Sequence, residues 1–294
     1  MTQVRQNSAR AWVLAARPKT LTAALIPVVT ATALAASHGQ FRFVPALLCV
    51  LFAALMQVAA NFINDLFDFL KGTDREDRLG PERACAQGWI SASAMRVGIG
   101  VSLVVACAVG CALLPFGGWW LVGLGAACVV FAFLYTTMLS YCGLGDLLVW
   151  VFFGFVPVVG TYYVQAGTLA PEVWWLSAAC GLVVDTLLVL NNYRDREQDR
   201  LSGKRTVVVT FGEAFGRYFY LAQGVLGYGC VAALAAYGHT WVAILPALYL
   251  VPHCLTWRTM VRIFQGRELN RVLGLTSRNM LIFALLVLAG LLLG

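Results

Sequence analysis

FVPALLCVLFAALMQVAANFINDLFDF, residues 43–69, is the stretch whose reading decides the architecture of this chain. It holds no lysine or arginine and shows no alternation of apolar and polar residues, which argues against a strand, and unpaired backbone in lipid favours a helix. About 20 such residues in helical form cross a bilayer. Toward its end the run changes character. Gln57, Asn61, Asn64, Asp65 and Asp68 recur at i, i+4, i+7, i+8 and i+11, which lines them along one face of a helix. Amides and carboxylates within reach of lipid are costly unless they face a cavity, a partner or an ion. The segment therefore predicts a transmembrane helix with a functional polar end.

Similar apolar runs fall at 20–37, 92–114, 119–139, 145–166, 172–193, 217–238, 241–257 and 278–294, making nine spans in all. Hydrophobic residues are 60% of the 294 and charged residues only 12%, against roughly 25% charged in a soluble domain. The reading is an all-α integral membrane protein, a single domain over 1–294 with a lipid bilayer as its solvent. Pro246 and Pro252 predict a kinked or tilted eighth span.

The net charge of +7 is distributed unevenly. Twenty of the 21 basic residues lie before the first span, between spans two and three, between six and seven, or between eight and nine; Arg42 is the exception. This segregation predicts a cytoplasmic N-terminus and an external C-terminus, and it accounts for the positive charge without a nucleic-acid partner. Nine cysteines lie mostly within apolar stretches and read as small hydrophobes. His38, His239 and His253 are scattered, which argues against a His/Cys metal centre.

Acidic residues concentrate in two segments about 130 residues apart, a weak hint of a duplicated four-helix unit. The first continues from Asp68 through Gly72, Asp74, Asp77, Arg78, Gly80, Pro81 and Arg83. The second reads Asn191-Asn192-Tyr193-Arg194-Asp195-Arg196-Glu197-Gln198-Asp199, then Gly203-Lys204-Arg205-Thr206. Asn192, Asp195 and Asp199 share a helix face, and Asp185 joins them seven residues further in. Asp185 is expected either to line an acceptor pocket or to make a structural hydrogen bond. Two facing carboxylate stripes repel as bare charges. Magnesium with oxygen ligands and water relieves that repulsion, as does a diphosphate bridged by the metal. Arg78, Arg83, Lys204 and Arg205 are then suited to phosphate oxygens, or are ordinary positive-inside decoration.

These segments resemble the UbiA superfamily of intramembrane prenyltransferases over nearly the whole chain. More narrowly, Arg17-Pro18-Lys19-Thr20-Leu21, Asn64-Asp65 with Asp68, Gly72-x-Asp74, Asp77-Arg78-x-Gly80-Pro81-x-Arg83, Tyr141-x-Gly143-Leu144-Gly145-Asp146 and the 191–206 segment are similar to the 1,4-dihydroxy-2-naphthoate prenyltransferases of menaquinone synthesis. One departure stands out: a third aspartate is expected four residues after Asp68, where this chain has Gly72, with Asp74 the nearby carboxylate able to take its role.

The resemblance implies transfer of a polyprenyl chain from a polyprenyl diphosphate to 1,4-dihydroxy-2-naphthoate with loss of carbon dioxide. It implies magnesium ligated by Asp65, Asp68, Asp74, Asp195 and Asp199. Substrate contacts are expected from Asn61, Asn64, Arg78, Arg83, Asp146, Asp185, Asn192, Lys204 and Arg205. The setting is the bacterial inner membrane, with the site on its cytoplasmic side. 4-Hydroxybenzoate or a haem precursor is the alternative acceptor that the resemblance leaves open. A transporter is the rival class, though it has less need of aspartates interleaved with basic residues. A CDP-alcohol phosphatidyltransferase is disfavoured by the lack of a D-G-x-x-A-R stretch.

Overall fold

Inside a bilayer no water is available to backbone N–H and C=O groups, so each crossing segment must close its own hydrogen bonds. A computed structural model of the protein describes residues 4–72 and 78–294. Among them every regular element is helical, and nine helices are long and apolar enough to cross a membrane. A short helix, α1 (Ala9–Ala16), precedes them. The spans are α2 (Pro18–Ser37), α3 (Phe43–Leu70), α4 (Ala92–Ala112), α5 (Trp120–Thr137), α6 (Gly145–Ala166), α7 (Glu172–Leu201), α8 (Glu213–Tyr237), α9 (Thr240–Ile263) and α10 (Leu269–Leu293).

Several helices run past the apolar stretches that announce them. α7 continues to Leu201 and α10 begins at Leu269, because hydropathy marks where lipid ends, whereas i→i−4 bonding continues into water. α9 departs from regular geometry at Leu245–Tyr249, a tight turn with Pro246 in its opening positions. The irregularity expected from the prolines is thus localised at the first of them.

α7 is the central helix, with 67% of its apolar window buried against 17% for α4. Leu176, Ala179, Cys180 and Val183 of α7 pack with Leu34 of α2, Val231 of α8 and Phe283 of α10 in the largest core. A second core joins Ala11 and Ala15 of α1 to Phe62, Ile63 and Leu66 of α3 and Met95 and Ile99 of α4. Val97, Val101 and Val104 form the exposed outer face of α4, an i, i+4, i+7 stripe suited to lipid.

α6 contains one widened i→i+5 turn at Val151–Phe155, just ahead of Pro157, which has no N–H to give. Here α6 and α7 nearly touch: a Cβ on Gly154 would lie 2.6 Å from the Ser177 carbonyl oxygen and 2.9 Å from Gly181 Cα. Only glycine permits that approach.

Candidate active site

The two acidic segments end α3 and α7, four spans apart and therefore at the same end of the bundle. Side chains bind the ends together. Arg194 Nη1 donates to Asn270 Oδ1 at 2.8 Å, and Asn270 Nδ2 donates to the Leu79 carbonyl at 2.7 Å. Gly80 lies under the same guanidinium, where a Cβ would stand 2.9 Å from Arg194 Nη2. The loop after α3, the end of α7 and the start of α10 are thereby one polar assembly.

Its carboxylates occupy different settings. Asp65 is 1% exposed, and both its oxygens accept backbone N–H groups, from Cys85 at 2.8 Å and Ala84 at 2.9 Å. Arg17 Nη2 stands 3.9 Å away. Asp68, one turn on, accepts from Arg83 Nη2 at 2.8 Å, and Lys204, Arg78, Arg17 and Lys71 all lie within electrostatic reach of it. Asp195 takes two bonds from its neighbour Arg194, at 2.7 and 2.5 Å. Asp199 is 3.7 Å from Lys204 Nζ. Asp74 lies outside the described residues.

A cavity of about 340 Å³ opens from this end. Thr20, Gln57, Asn64, Tyr135 and Asn191 line its polar part; Val28, Cys49, Leu113, Leu121 and Val164 line the remote part. Since Leu113 and Leu121 flank the turn joining α4 to α5, the cavity runs along the helices toward the opposite end of the bundle. Asn64 accepts from the Thr136 hydroxyl. Asn61 is turned toward α2, donating to the Ala16 carbonyl and to Thr20 Oγ1, both at 2.9 Å.

A smaller cavity lies beside the first, lined by Tyr135, Ser140, Gly143, Gly145, Asp146, Leu188, Asn192 and Thr206. Asp146 is 6% exposed, and its Oδ1 is buried without a hydrogen-bond partner. Gly143 has φ +76°, and a Cβ there would sit 2.8 Å from the Arg205 carbonyl. The Arg205 N–H in turn donates to the Tyr141 carbonyl at 3.1 Å. The two sequence segments around Gly143 and Lys204 therefore fold against each other, while the Arg205 side chain remains exposed. Asp185 sits apart from both cavity linings: it is 0% exposed and accepts from Trp150 Nε1 at 3.2 Å and from Gln223 Nε2.

Several residues belong to this site that the spacing of carboxylates alone does not single out. Tyr135 lines both cavities and lies within electrostatic reach of Asp146, Asp185, Asp68 and Asp199. Lys71 Nζ stands 4.3 Å from the centre of the Tyr141 ring and Lys204 Nζ 5.3 Å from it. Arg17, Thr20 and Asn191 were present in the motifs as quoted. Tyr135 had no such signal, being one aromatic residue in an apolar run.

Chemically the arrangement is a hard-oxygen donor set flanked by guanidinium and ammonium groups, one helical turn beyond the Asn64 and Asn191 lining of an apolar cavity. Asp68, Asp195 and Asp199 each face a cation that an incoming phosphate oxygen could take over, which fits a magnesium ion together with a diphosphate.

Known proteins bear on this geometry. The chain is 33% identical to the 1,4-dihydroxy-2-naphthoate octaprenyltransferase of Escherichia coli (strain K12), over 99% of this chain and 97% of that one. With the Mycobacterium tuberculosis protein of the same name it shares 35%, over 96% and 97%. The fold matches a solved apo UbiA homologue from Aeropyrum pernix K1 with TM-score 0.71 and 20% identity, covering 92% of this chain and 97% of that one. It also matches a UbiA homologue from Archaeoglobus fulgidus bound to GPP and Mg2+, with TM-score 0.64 and 16% identity over 96% and 99%. The model of the UbiA prenyltransferase family matches residues 24–275, and this integral membrane chain belongs to that family.

Proposed function

We propose that the protein transfers a polyprenyl group from a polyprenyl diphosphate to 1,4-dihydroxy-2-naphthoate, with release of diphosphate and carbon dioxide. The observation that carries this reading is an apolar cavity of about 340 Å³ whose polar lining at Asn64 and Asn191 lies one helical turn from Asp68 and Asp195 and their basic partners. A hydrocarbon tail with an anionic head matches both parts. The names of the relatives from E. coli and M. tuberculosis supply the acceptor.

Asp68, Asp195 and Asp199, with Asp74, would hold magnesium, which when bound supplies positive charge to the departing diphosphate. Arg83, Lys204, Lys71 and Arg78 bind its oxygens and stabilise the charge that grows as the allylic C–O bond breaks. Arg205 extends this basic rim. Asp65 keeps Ala84 and Cys85 in place and so aims Arg83. The apolar walls, among them Phe52, Phe131 and Phe152, hold the tail and exclude water that would quench the allylic cation. The dihydroxynaphthoate ring is assigned to the Tyr135 region, with Asn64, Asn191, Asn192 and Asp146 orienting it. Ring attack on the allylic carbon is followed by departure of the carboxylate as carbon dioxide, whose bonding pair restores the aromatic ring. Asn61 and Asp185 hold α2, α6 and α8 around this space. The site is assigned to the cytoplasmic side of a bacterial inner membrane, a side the basic flanks favour.

Purified protein in detergent should form the prenylated, decarboxylated naphthol from a prenyl diphosphate and 1,4-dihydroxy-2-naphthoate, detected by mass spectrometry. Product formation should stop with EDTA and return with added magnesium. Turnover undiminished in EDTA would remove the metal–diphosphate mechanism; turnover of 4-hydroxybenzoate alone would reassign the acceptor.

A further inference from the structure

The histidines are dispersed in sequence, yet folding brings two of them together at the end of the bundle remote from the aspartates. His38 caps the far end of α2. Glu172 opens α7, whose other end carries Asp195 and Asp199. His239 follows α8 in the turn to α9, placed there by Gly238 at φ +98°, a conformation open to glycine. One ligating atom from each of the three lies within 4.8 Å of the others. His38 Nε2 is 3.7 Å from Glu172 Oε1, and the two imidazole centroids are 5.5 Å apart. Scatter along the chain therefore does not keep these side chains apart in the folded protein.

Two independent features mark the cluster as a ligand site. Glu172 and His239 are 8% and 7% exposed, and Glu172 Oε2 and His239 Nδ1 are buried with no hydrogen-bond partner. Buried polar atoms seldom remain unmatched. Further, His38 Nδ1 lies 2.7 Å from the Tyr162 hydroxyl. When Nδ1–H donates to that oxygen, the lone pair falls on Nε2, the atom nearest Glu172. This outer hydrogen bond is what fixes the tautomer of metal-bound histidines.

We infer that His38, Glu172 and His239 form a second metal site, for a zinc-class divalent cation, that clips the ends of α2 and α7 to the α8–α9 turn. Two imidazoles and one carboxylate suit zinc, with water as fourth ligand, and do not suit magnesium or calcium. Ligand atoms in tetrahedral zinc are about 3.3 Å apart, so the trio must draw in slightly, and the partly exposed His38 ring has the freedom to turn. The three groups come from elements far apart in the chain, so an ion here would resist separation of α2, α7 and α8 at this end.

The test uses full-length protein carrying no histidine tag, stripped with EDTA and returned to excess magnesium so that the aspartate site is occupied. Added zinc should bind at one equivalent per chain, measured by atomic emission after desalting, and raise the melting temperature in detergent by several degrees. Asp68→Asn with Asp195→Asn should retain that zinc. His38→Ala and Glu172→Gln should lose it while prenyl transfer continues, and Tyr162→Phe should weaken it by roughly 10- to 100-fold. Cobalt in place of zinc should give tetrahedral visible bands in the unmutated protein, a readout independent of whether any variant folds. Absence of those bands, or zinc retained in the His38→Ala variant but lost with the aspartates, would overturn the site.

Discussion

Asp65 and Asp68 are three residues apart on one helix, yet their surroundings assign them different work. Asp65 spends both oxygens on the Ala84 and Cys85 amides, whereas Asp68 faces Arg83 and a ring of further cations. Asparagine at 65 would set an NH2 group against a buried N–H, so Asp65→Asn should destabilise the fold by about 1–3 kcal/mol, seen as a lower melting temperature in detergent. At 68, 195 and 199 asparagine keeps size and an acceptor oxygen for the basic partner, but loses the charge that a hard cation needs. Those variants should stay folded and lose about 10²-fold in kcat, roughly 3 kcal/mol of barrier. An Asp68→Asn enzyme with undiminished kcat would exclude that carboxylate from the chemistry. Tyr135→Phe removes a hydroxyl where the two cavities meet. It should raise the acceptor KM about 5- to 10-fold, the size of one hydrogen bond, while the prenyl diphosphate KM stays put.

Among the elements, α6 and α7 both line the cavity, and they meet at Gly154 and Gly181. Gly154→Ala would press a methyl group against the Ser177 carbonyl, and backbone cannot swing aside as a side-chain tip can. The helices must part, at about 1–3 kcal/mol for overpacking of this kind. Gly123→Ala in α5 is the matched control, because nothing lies within 4 Å of a Cβ there; helix propensity makes it neutral or slightly stabilising. Thermal unfolding of the two variants in the same detergent checks the contrast. Equal melting temperatures would show that α6 and α7 tolerate more separation than their glycines suggest.

For the whole molecule, the two carboxylate clusters reach one end because α3 and α7 point the same way, and the Arg194–Asn270–Leu79 bonds lock that end together. The same direction of travel puts His38, Glu172 and His239 at the other end. Basic residues crowd the aspartate end, and the positive-inside rule predicts that this end faces the cytoplasm. A reporter active only outside the cytoplasm should accordingly be silent when inserted after Gly203 and active when fused at Gly294. Activity at Gly203 would invert the molecule and carry the site with it.

The sequence by itself determined the solvent, the helical class and the nine crossings, since lipid leaves unpaired backbone no alternative and apolar length is counted directly. It also singled out the segments proposed to carry chemistry, because carboxylates at the ends of apolar runs are costly enough that Asp68, Asp195 and Asp199 stand out on their own. Only the tertiary structure decided what each charged side chain faces. A helix-face argument puts Asp65 and Asp68 in one stripe, but the 83–85 segment folds back onto Asp65 and claims its oxygens, a contact between residues nearly 20 apart that periodicity does not encode. Tyr135 was invisible for the opposite reason, being apolar enough to read as core. The pairing of His38 with His239 was hidden as well, because closure across some 200 residues leaves no local pattern. One-dimensional spacing reports the face of a helix; what that face meets depends on which other helices pack against it.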